Sequence, residues 1–375
     1  MINKLIPWIS RYHRLTLALV FLAGGLWARY LRFQTRELWN DELFQIKNTL
    51  GAFKPVWQRL PNGELTCFPG DYLITYPFVQ IFHPEKWGMT IPHILASVLG
   101  FYFLYRICQK HLKTFLAFFI TFTIYSFNHN LVYHAFEIRP YAVLPTLALG
   151  VFYFSDLIIN HSMSLSRWKK IGIGLFFTFT VLYHAYGMLI LFCCMTFFLL
   201  ARTDKTPLPQ VLKELAPFLR NLTLVTVPLF LWYAGGNPDF NSRTSLDRGI
   251  NTFDYIPNPL MNFNEFFETV TNNLIAFKKF KFKFFLNGIW LAFLLPHSLR
   301  LKQIGFFLLL IVLPIELALL GDLHKGYWFV QRQFVWVMPL YAFFLGWCWD
   351  AILMYVTNSK LYLSFQKSLL KPNVE

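Results

Sequence analysis

Two adjacent carboxylates, Asp41 and Glu42, are the residues best suited to chemistry in this sequence. Only 14% of its 375 residues are charged, so an acid pair directly after a long apolar segment needs an explanation. A carboxylate within hydrogen-bond reach of a hydroxyl group can act as a general base. The simpler alternative is that Asp41 only caps the helix that follows it. The pair therefore predicts either proton transfer or helix capping.

Further polar residues stand at the ends of later apolar segments: Glu137, Arg139, Tyr141, His184 and Arg332. Arginine forks bind phosphate oxygens through two parallel hydrogen bonds. A single histidine in such a place is more often structural, and a single arginine more often binds a lipid head group. Combined with the acid pair, these residues suit binding of an anionic group and removal of a proton from a nucleophile. No serine or cysteine stands beside a candidate base, so a covalent nucleophile is not expected.

The elements that must position these side chains are transmembrane helices. The sequence is 56% hydrophobic and 19% aromatic, with 43 phenylalanines, which predicts an all-α, multi-pass membrane protein. The net charge of +15 does not indicate nucleic-acid binding, because the basic residues are scattered between apolar runs, as in cytoplasmic loops. The five cysteines show no spacing typical of a disulfide framework.

The distribution of lysine and arginine predicts ten spans, with both termini in the cytoplasm. Residues 1–355 are expected to form a single transmembrane domain, and residues 356–375 a cytoplasmic tail. The predicted spans are Leu15–Leu31, Met89–Ile107, Thr114–Phe127, Ala142–Ile159, a fifth that ends at Tyr183, a sixth that ends before Arg202, Leu219–Tyr233, Phe284–Leu295, Ile304–Leu320 and Phe334–Leu353.

Two long segments, 34–88 and 235–283, are predicted to be outer loops. In the first, a helix with Asn40 or Asp41 as its N-cap is expected to lie flat on the membrane surface. A second apolar piece, Tyr72–Phe82, is too short to cross a core of about 30 Å and is expected to stay at the surface. The surface helix is predicted to carry Leu43, Phe44, Ile46, Leu50 and Phe53 on its apolar side and Gln45, Lys47 and Asn48 on its polar side. Arg29 and Arg32, at the outer end of the first span, are expected to snorkel to the interface.

This topology brings the candidate residues to one side of the membrane. Asp41, Glu42, Glu137, Arg139, His184 and Arg332 all fall at outer ends of spans or in outer loops. Ionisable groups near a bilayer are costly and usually line a cavity or pathway. The sequence therefore predicts one polar site that opens outward.

Four short motifs in this order resemble the GT-C glycosyltransferases, which are membrane enzymes that use lipid-linked sugars. The nearest branch is that of bacterial proteins related to protein mannosyltransferases and to aminoarabinose transferase. The motifs are Leu38-Trp39-Asn40-Asp41-Glu42, the segment from Tyr133 to Tyr141 (YHAFEIRPY), Leu182-Tyr183-His184-Ala185-Tyr186, and Arg332-Gln333-Phe334 with Pro339. The last motif departs from the family pattern, which has Arg-Tyr.

The resemblance implies a GT-C fold, a polyprenyl-phosphate-linked hexose or pentose as donor, and a lipid, glycan or protein acceptor at the outer face of a bacterial plasma membrane. It implies that Asp41 is the base that deprotonates the acceptor, with Glu42 in support, and that transfer inverts the anomeric carbon. Glu137, Tyr141 and His184 would face the donor, and Arg139 and Arg332 would hold its phosphate. Some relatives use a divalent metal, so Mg²⁺ or Mn²⁺ is compatible with these carboxylates, although no ligand spacing requires it.

The main alternative is a transporter or flippase for an anionic lipid or sugar. Glu316, which follows Pro314 within the ninth predicted span, is the residue that best supports it. A transporter typically shows an internal repeat and broken helices at mid-membrane, and no repeat is found here. A scaffold without chemistry is the third possibility. The sequence does not identify the sugar, the acceptor, the carrier lipid or the oligomeric state.

Overall fold

The computed structural model describes residues 2–51, 69–184, 186–236, 297–317 and 334–357, with side chains for 13–51, 69–184, 186–232, 301–317 and 334–357. Within these ranges the chain is helical and contains no strand, which confirms the all-α prediction. The helices are α1 Ile2–Gln34, α2 Asn40–Thr49, α3 Pro69–Phe82, α4 Lys86–His111, α5 Phe115–Phe127, α6 His129–Tyr133, α7 Leu144–His161, α8 Arg167–Tyr183, α9 Tyr186–Thr203, α10 Leu208–Gly236, α11 His297–Phe307 and α12 Val337–Thr357.

Five of the described helices are long and apolar enough to cross a membrane: 13–34 of α1, then α4, α9, 208–232 of α10, and α12. The segments predicted as the third, fourth and fifth spans are α5, α7 and α8, which have 13, 18 and 17 residues. Large apolar side chains on the outside, such as Trp27 and Leu224, are 60% and 66% exposed. Such a surface suits lipid rather than water. The predicted span 284–295 and the predicted loop 235–283 lie outside the described residues, apart from the first two positions of that loop.

Aromatic rings fill the centre of the bundle around α12. Phe152 of α7 lies 5.6 Å from Phe306 and 5.7 Å from Phe343, measured between ring centroids. Gly346 of α12 permits a close approach to α5, since a Cβ added there would stand 1.9 Å from Thr121 Oγ1. Helices in lipid associate through such van der Waals packing at small residues.

Helix α4 connects two separate polar clusters. Near its N-terminus, His93 lies 4.0 Å from Asp71. At its C-terminus, His111 lies 3.0 Å from Asp156, which also pairs with Lys110. The two histidines are eighteen positions apart, which corresponds to about 27 Å of helix at 1.5 Å per residue. The two clusters therefore stand nearly the thickness of a hydrocarbon core apart.

Arg29 does not snorkel, and this prediction was wrong. Its side chain is 2% exposed and donates hydrogen bonds to the carbonyl oxygens of Tyr125, Ser126 and Gly25. The first two carbonyls belong to the last turn of α5, where a cation is favoured by the helix dipole. The buried guanidinium thus joins the C-terminal part of α1 to the C-terminus of α5.

Candidate functional site

Helix α2 turns its polar face toward the protein interior. Glu42, Gln45 and Thr49 are fully buried at helical spacing, whereas Leu43 and Phe44 are 50% and 41% exposed. Leu43, Phe44 and Gln45 lie on the sides predicted for them. Ile46, placed on the apolar side, is buried, and Lys47, placed on the polar side, is exposed. The N-cap residue is Trp39 rather than Asn40 or Asp41. The helix therefore delivers hydrogen-bonding groups to the bundle and apolar groups to its surroundings.

The Glu42 carboxylate accepts four hydrogen bonds, which indicates a structural role. Arg36 donates to both of its carboxylate oxygens, at 2.5 and 2.8 Å. The backbone N–H groups of Trp39 and Ile138 donate to the same carboxylate, at 3.2 and 2.8 Å. The last of these bonds connects the start of α2 to the segment 134–143. Because its acceptor sites are occupied, Glu42 positions the neighbouring Asp41 by fixing the helix that carries it.

Asp41 and Arg139 face each other in the site. The carboxylate Oδ2 of Asp41 lies 3.7 Å from Nη2 of Arg139, and the Asp41 side chain is 36% exposed against 9% for Arg139. Arg139 also lies over the ring of Tyr141, 6.0 Å from its centroid. The half-exposed carboxylate of Asp41 can accept a proton, and the nearly buried guanidinium of Arg139 beside it can bind an anion.

The surroundings of His184, between α8 and α9, favour the neutral form of its ring. Burial, with a smaller contribution from the charge of Arg139, lowers the pKa of His184 to about 3. Its Nδ1 accepts a hydrogen bond from the backbone N–H of Tyr186 at 3.2 Å. The remaining proton of the neutral ring therefore sits on Nε2, which can donate but not accept. His184 suits a phosphate or sugar oxygen and does not suit the role of general base.

Aromatic rings form one side of this cluster. The rings of Tyr141 and His184 are 6.1 Å apart, and those of His184 and Tyr186 are 5.0 Å apart. Tyr186 in turn contacts Phe334, with 4.9 Å between centroids. Arg332, the last predicted site residue, lies outside the described residues. The described part of its motif, beginning at Phe334, thus packs beside the His184 segment.

Glu137 is a buried carboxylate whose described partner is His134. It is 2% exposed, and its Oε2 stands 3.0 Å from Nδ1 of His134. Its charge also acts on Arg36, the partner of Glu42. These contacts place Glu137 with the group that anchors α2.

The structure adds residues that sequence reasoning missed. Asp71 and Gln45 are both fully buried next to Arg139, and Tyr183 donates to Asp71 at 2.5 Å. Burial raises the pKa of Asp71, although hydrogen bonds from Tyr183 and Gln45 and the charge of Arg139 oppose the shift. One signal could have found Asp71, namely a carboxylate directly before the apolar run 72–82. Within α3, which was expected only to lie at the surface, that carboxylate faces the bundle.

No protein-family model, curated protein or solved structure matches the chain. The GT-C resemblance therefore rests on the four motifs, three of which contribute described residues to one cluster: Asp41, Arg139 with Tyr141, and His184.

Metal-type ligands are sparse in the described part of the chain. Within it, no group of three or more His, Cys, Asp or Glu side chains could hold a metal ion. Asp71 and His93 supply a pair at 4.0 Å, which is one ligand short of such a group. The Mg²⁺ or Mn²⁺ expectation stays a prediction.

Proposed function

We propose that this chain is a membrane glycosyltransferase of the GT-C type that moves a hexose or pentose from polyprenyl phosphate to an acceptor. The observation that carries this proposal is the 3.7 Å contact between the half-exposed Asp41 carboxylate and the nearly buried Arg139 guanidinium. A transferase that uses a phosphate leaving group needs these two functions side by side.

Arg139 and His184 act on the donor. The guanidinium binds the phosphate oxygens, and the Nε2–H of the neutral His184 donates a further hydrogen bond. Both interactions strengthen as negative charge develops on the departing phosphate. Arg332 adds a second guanidinium in this proposal, and the ring of Tyr141 supports Arg139 from below.

Asp41 acts on the acceptor. Its carboxylate takes the proton of the acceptor hydroxyl as the new bond forms between the acceptor oxygen and the anomeric carbon. The bond from that carbon to the phosphate oxygen breaks, and its electron pair leaves with polyprenyl phosphate. A single displacement of this kind inverts the anomeric configuration. Glu42 keeps Asp41 in place and exchanges no proton.

The proposed setting is a bacterial plasma membrane crossed by ten spans with both termini in the cytoplasm. The site then opens on the outer face, at the Asp71 end of α4, and the Asp156 cluster marks the inner face. The acceptor, whether lipid, glycan or protein, approaches from outside over the exposed side of Asp41.

The test uses wild-type protein and an Asp41→Asn variant in lipid nanodiscs, each given a panel of polyprenyl-phosphate sugars and candidate acceptors. Sugar transfer is expected in wild type and is expected to fall by at least about 10²-fold in the variant, the lower end of general-base contributions. The matched control is Asp204→Asn, because Asp204 is an exposed carboxylate paired with Lys302 at 3.9 Å, far from the site. Equal transfer by the Asp41→Asn and Asp204→Asn variants would remove Asp41 from the chemistry.

One observation favours a transporter as the second candidate. A π-helical turn, Leu308–Val312, interrupts the helix just before Pro314 and the partly buried Glu316. Such turns are frequent at functional sites, and a carboxylate there could bind a coupling ion. Saturable polyprenyl-phosphate binding without sugar release from any donor, together with lipid movement that Glu316→Gln abolishes, would favour the transporter.

A further inference from the structure

The side-chain amide of Gln45 lies between two opposite charges. Its Nε2 donates to Oδ2 of Asp71 at 2.5 Å and to Thr75 Oγ1 at 3.4 Å. Its Oε1 accepts from Nη1 of Arg139 at 3.5 Å. A carboxylate only accepts and a guanidinium only donates, so this orientation satisfies both partners and the flipped one satisfies neither.

Asp71 is itself fixed from a third helix. Tyr183, the last residue of α8, donates to its Oδ1 at 2.5 Å. Gly70 allows this approach, because a Cβ there would stand 2.8 Å from the backbone Cα of Tyr183. Asp71 and Gln45 are both fully buried, which makes each unmade hydrogen bond costly. The Asp71 carboxylate is therefore held in a fixed position between α3 and α8.

We infer that Asp71 is a positioning residue for Arg139, acting through the oriented amide of Gln45. The contacts form one line: Asp71 orients Gln45, Gln45 accepts from Arg139, and Arg139 faces Asp41. The buried negative charge also attracts the guanidinium directly. This inference rests on the proposed function only for its catalytic consequence, since the orientation of Arg139 can be measured without a substrate.

The order of charges along these contacts suggests a double substitution that should compensate for the loss. Gln45→Leu keeps the approximate volume but removes all three hydrogen bonds of the amide, so Arg139 loses its contact with Gln45 while Asp71 stays in place. The double variant Asp71→Asn with Gln45→Glu moves the negative charge one residue closer to Arg139. The new carboxylate can accept from both the asparagine amide and the guanidinium, so the exchange is expected to restore the position of Arg139.

The kinetic test measures kcat and KM for the donor in wild type, Asp71→Asn, Gln45→Leu and their double variant. Misplacement of a binding group by about 1 Å can cost about 10²-fold, so each single variant is expected to lose 10- to 100-fold in kcat/KM. The loss of kcat/KM in the double variant should be no larger than that in the more impaired single variant, because both substitutions interrupt the same series of contacts. The Asp71→Asn/Gln45→Glu exchange should recover at least tenfold relative to Gln45→Leu.

The matched control is Asp156→Asn, which removes an equally buried carboxylate at the other end of α4 and should leave the donor KM unchanged. Additive losses in the double variant, or failure of the charge exchange to recover activity, would overturn the positioning role.

A substrate-free arm separates the two proposals. Crystal structures of wild type, Gln45→Leu and the exchange variant report the distance from Arg139 to Asp41, which is 3.7 Å here. It is expected to exceed about 5 Å in Gln45→Leu and to return in the exchange variant. If these distances are found but the protein transfers no sugar, the glycosyltransferase proposal is refuted and the positioning role of Asp71 is supported. An unmoved Arg139 would sink the positioning role whatever the activity.

Discussion

Replacing Glu42 by glutamine tests the anchor of the whole site. The substitution keeps the side-chain volume but removes the charge opposite Arg36, whose side chain is only 9% exposed. It also replaces one acceptor oxygen by an NH₂ group that faces donors. We expect the first turn of α2 to separate from the 134–143 segment, because the bond from Ile138 N–H to Glu42 is one of the contacts that join them.

The expected cost follows from the burial of the pair. Breaking a buried ion pair by neutralising one partner costs about 3–5 kcal/mol, because the other charge stays buried without compensation. The pair between Arg202 and Glu214 is the matched control, since its side chains are 16% and 22% exposed. A more solvated pair contributes less, so Glu214→Gln should cost about 1 kcal/mol or less.

Two measurements check this prediction. Unfolding in detergent gives the loss of stability, and hydrogen–deuterium exchange of peptides covering 134–140 gives local opening. A cost of 3 kcal/mol corresponds to about 10²-fold faster exchange, at 1.4 kcal/mol for each factor of ten. Adding Arg36→Met to Glu42→Gln removes both charges and should recover at least half of the lost stability. Equal stability of the Glu42→Gln and Glu214→Gln variants would refute the anchoring role.

Three further predictions concern glycine, a buried cation and pH. Gly70→Ala should destabilise the protein by about 1–3 kcal/mol, because its Cβ would meet the backbone of α8 at 2.8 Å. Gly172→Ala, with nothing within 4 Å of its Cβ, should instead stabilise by about 0.5–1 kcal/mol. Arg29→Met should cost about 2–4 kcal/mol by leaving buried carbonyls of α5 unpaired. Because the folded-state pKa of His184 is lowered to about 3, its contribution is fully present above pH 6.5 and is lost as pH falls toward 3, by about 1 kcal/mol per unit.

Unfolding measurements on purified variants check all three. Equal stability of the Gly70→Ala and Gly172→Ala variants would contradict the close approach of α3 to α8. A tolerated Arg29→Met, no worse than the exposed control Lys213→Met, would contradict the capping of α5. For the pH effect, His184→Gln should flatten the fall in stability between pH 6.5 and 4; an unchanged slope would show that His184 does not cause it.

The sequence predicted the meeting of Asp41, Arg139 and His184 because the lysine and arginine distribution indicates which ends of apolar segments share a side. The partners of these residues were not predictable in the same way. Gln45 contacts Asp71 across 26 positions, and Asp71 contacts Tyr183 across 112. Such pairings depend on how helices pack, which local periodicity does not encode.

Arg29 and α2 are two further cases in which the packing of helices decided what the sequence pattern left open. An arginine near the end of a span is usually solvated, so its use as a cap for another helix required the packing of α1 against α5. For α2, periodicity distinguishes an apolar from a polar side. It does not say which side faces the protein, because the medium outside a membrane protein is itself apolar.

The exposed side of α2 carries Leu43 and Phe44, so the medium around the protein should affect the orientation of this helix. In water, burying Leu43 and Phe44 would favour rolling α2 about its axis, which would withdraw Gln45 from Arg139 and turn Asp41 away. In an acyl-chain environment the same side chains hold the helix in its present rotation. The proposed transfer activity should therefore depend on the detergent or lipid used to extract the protein. A harsh detergent could abolish activity while every helix stays folded, and returned lipid should restore it.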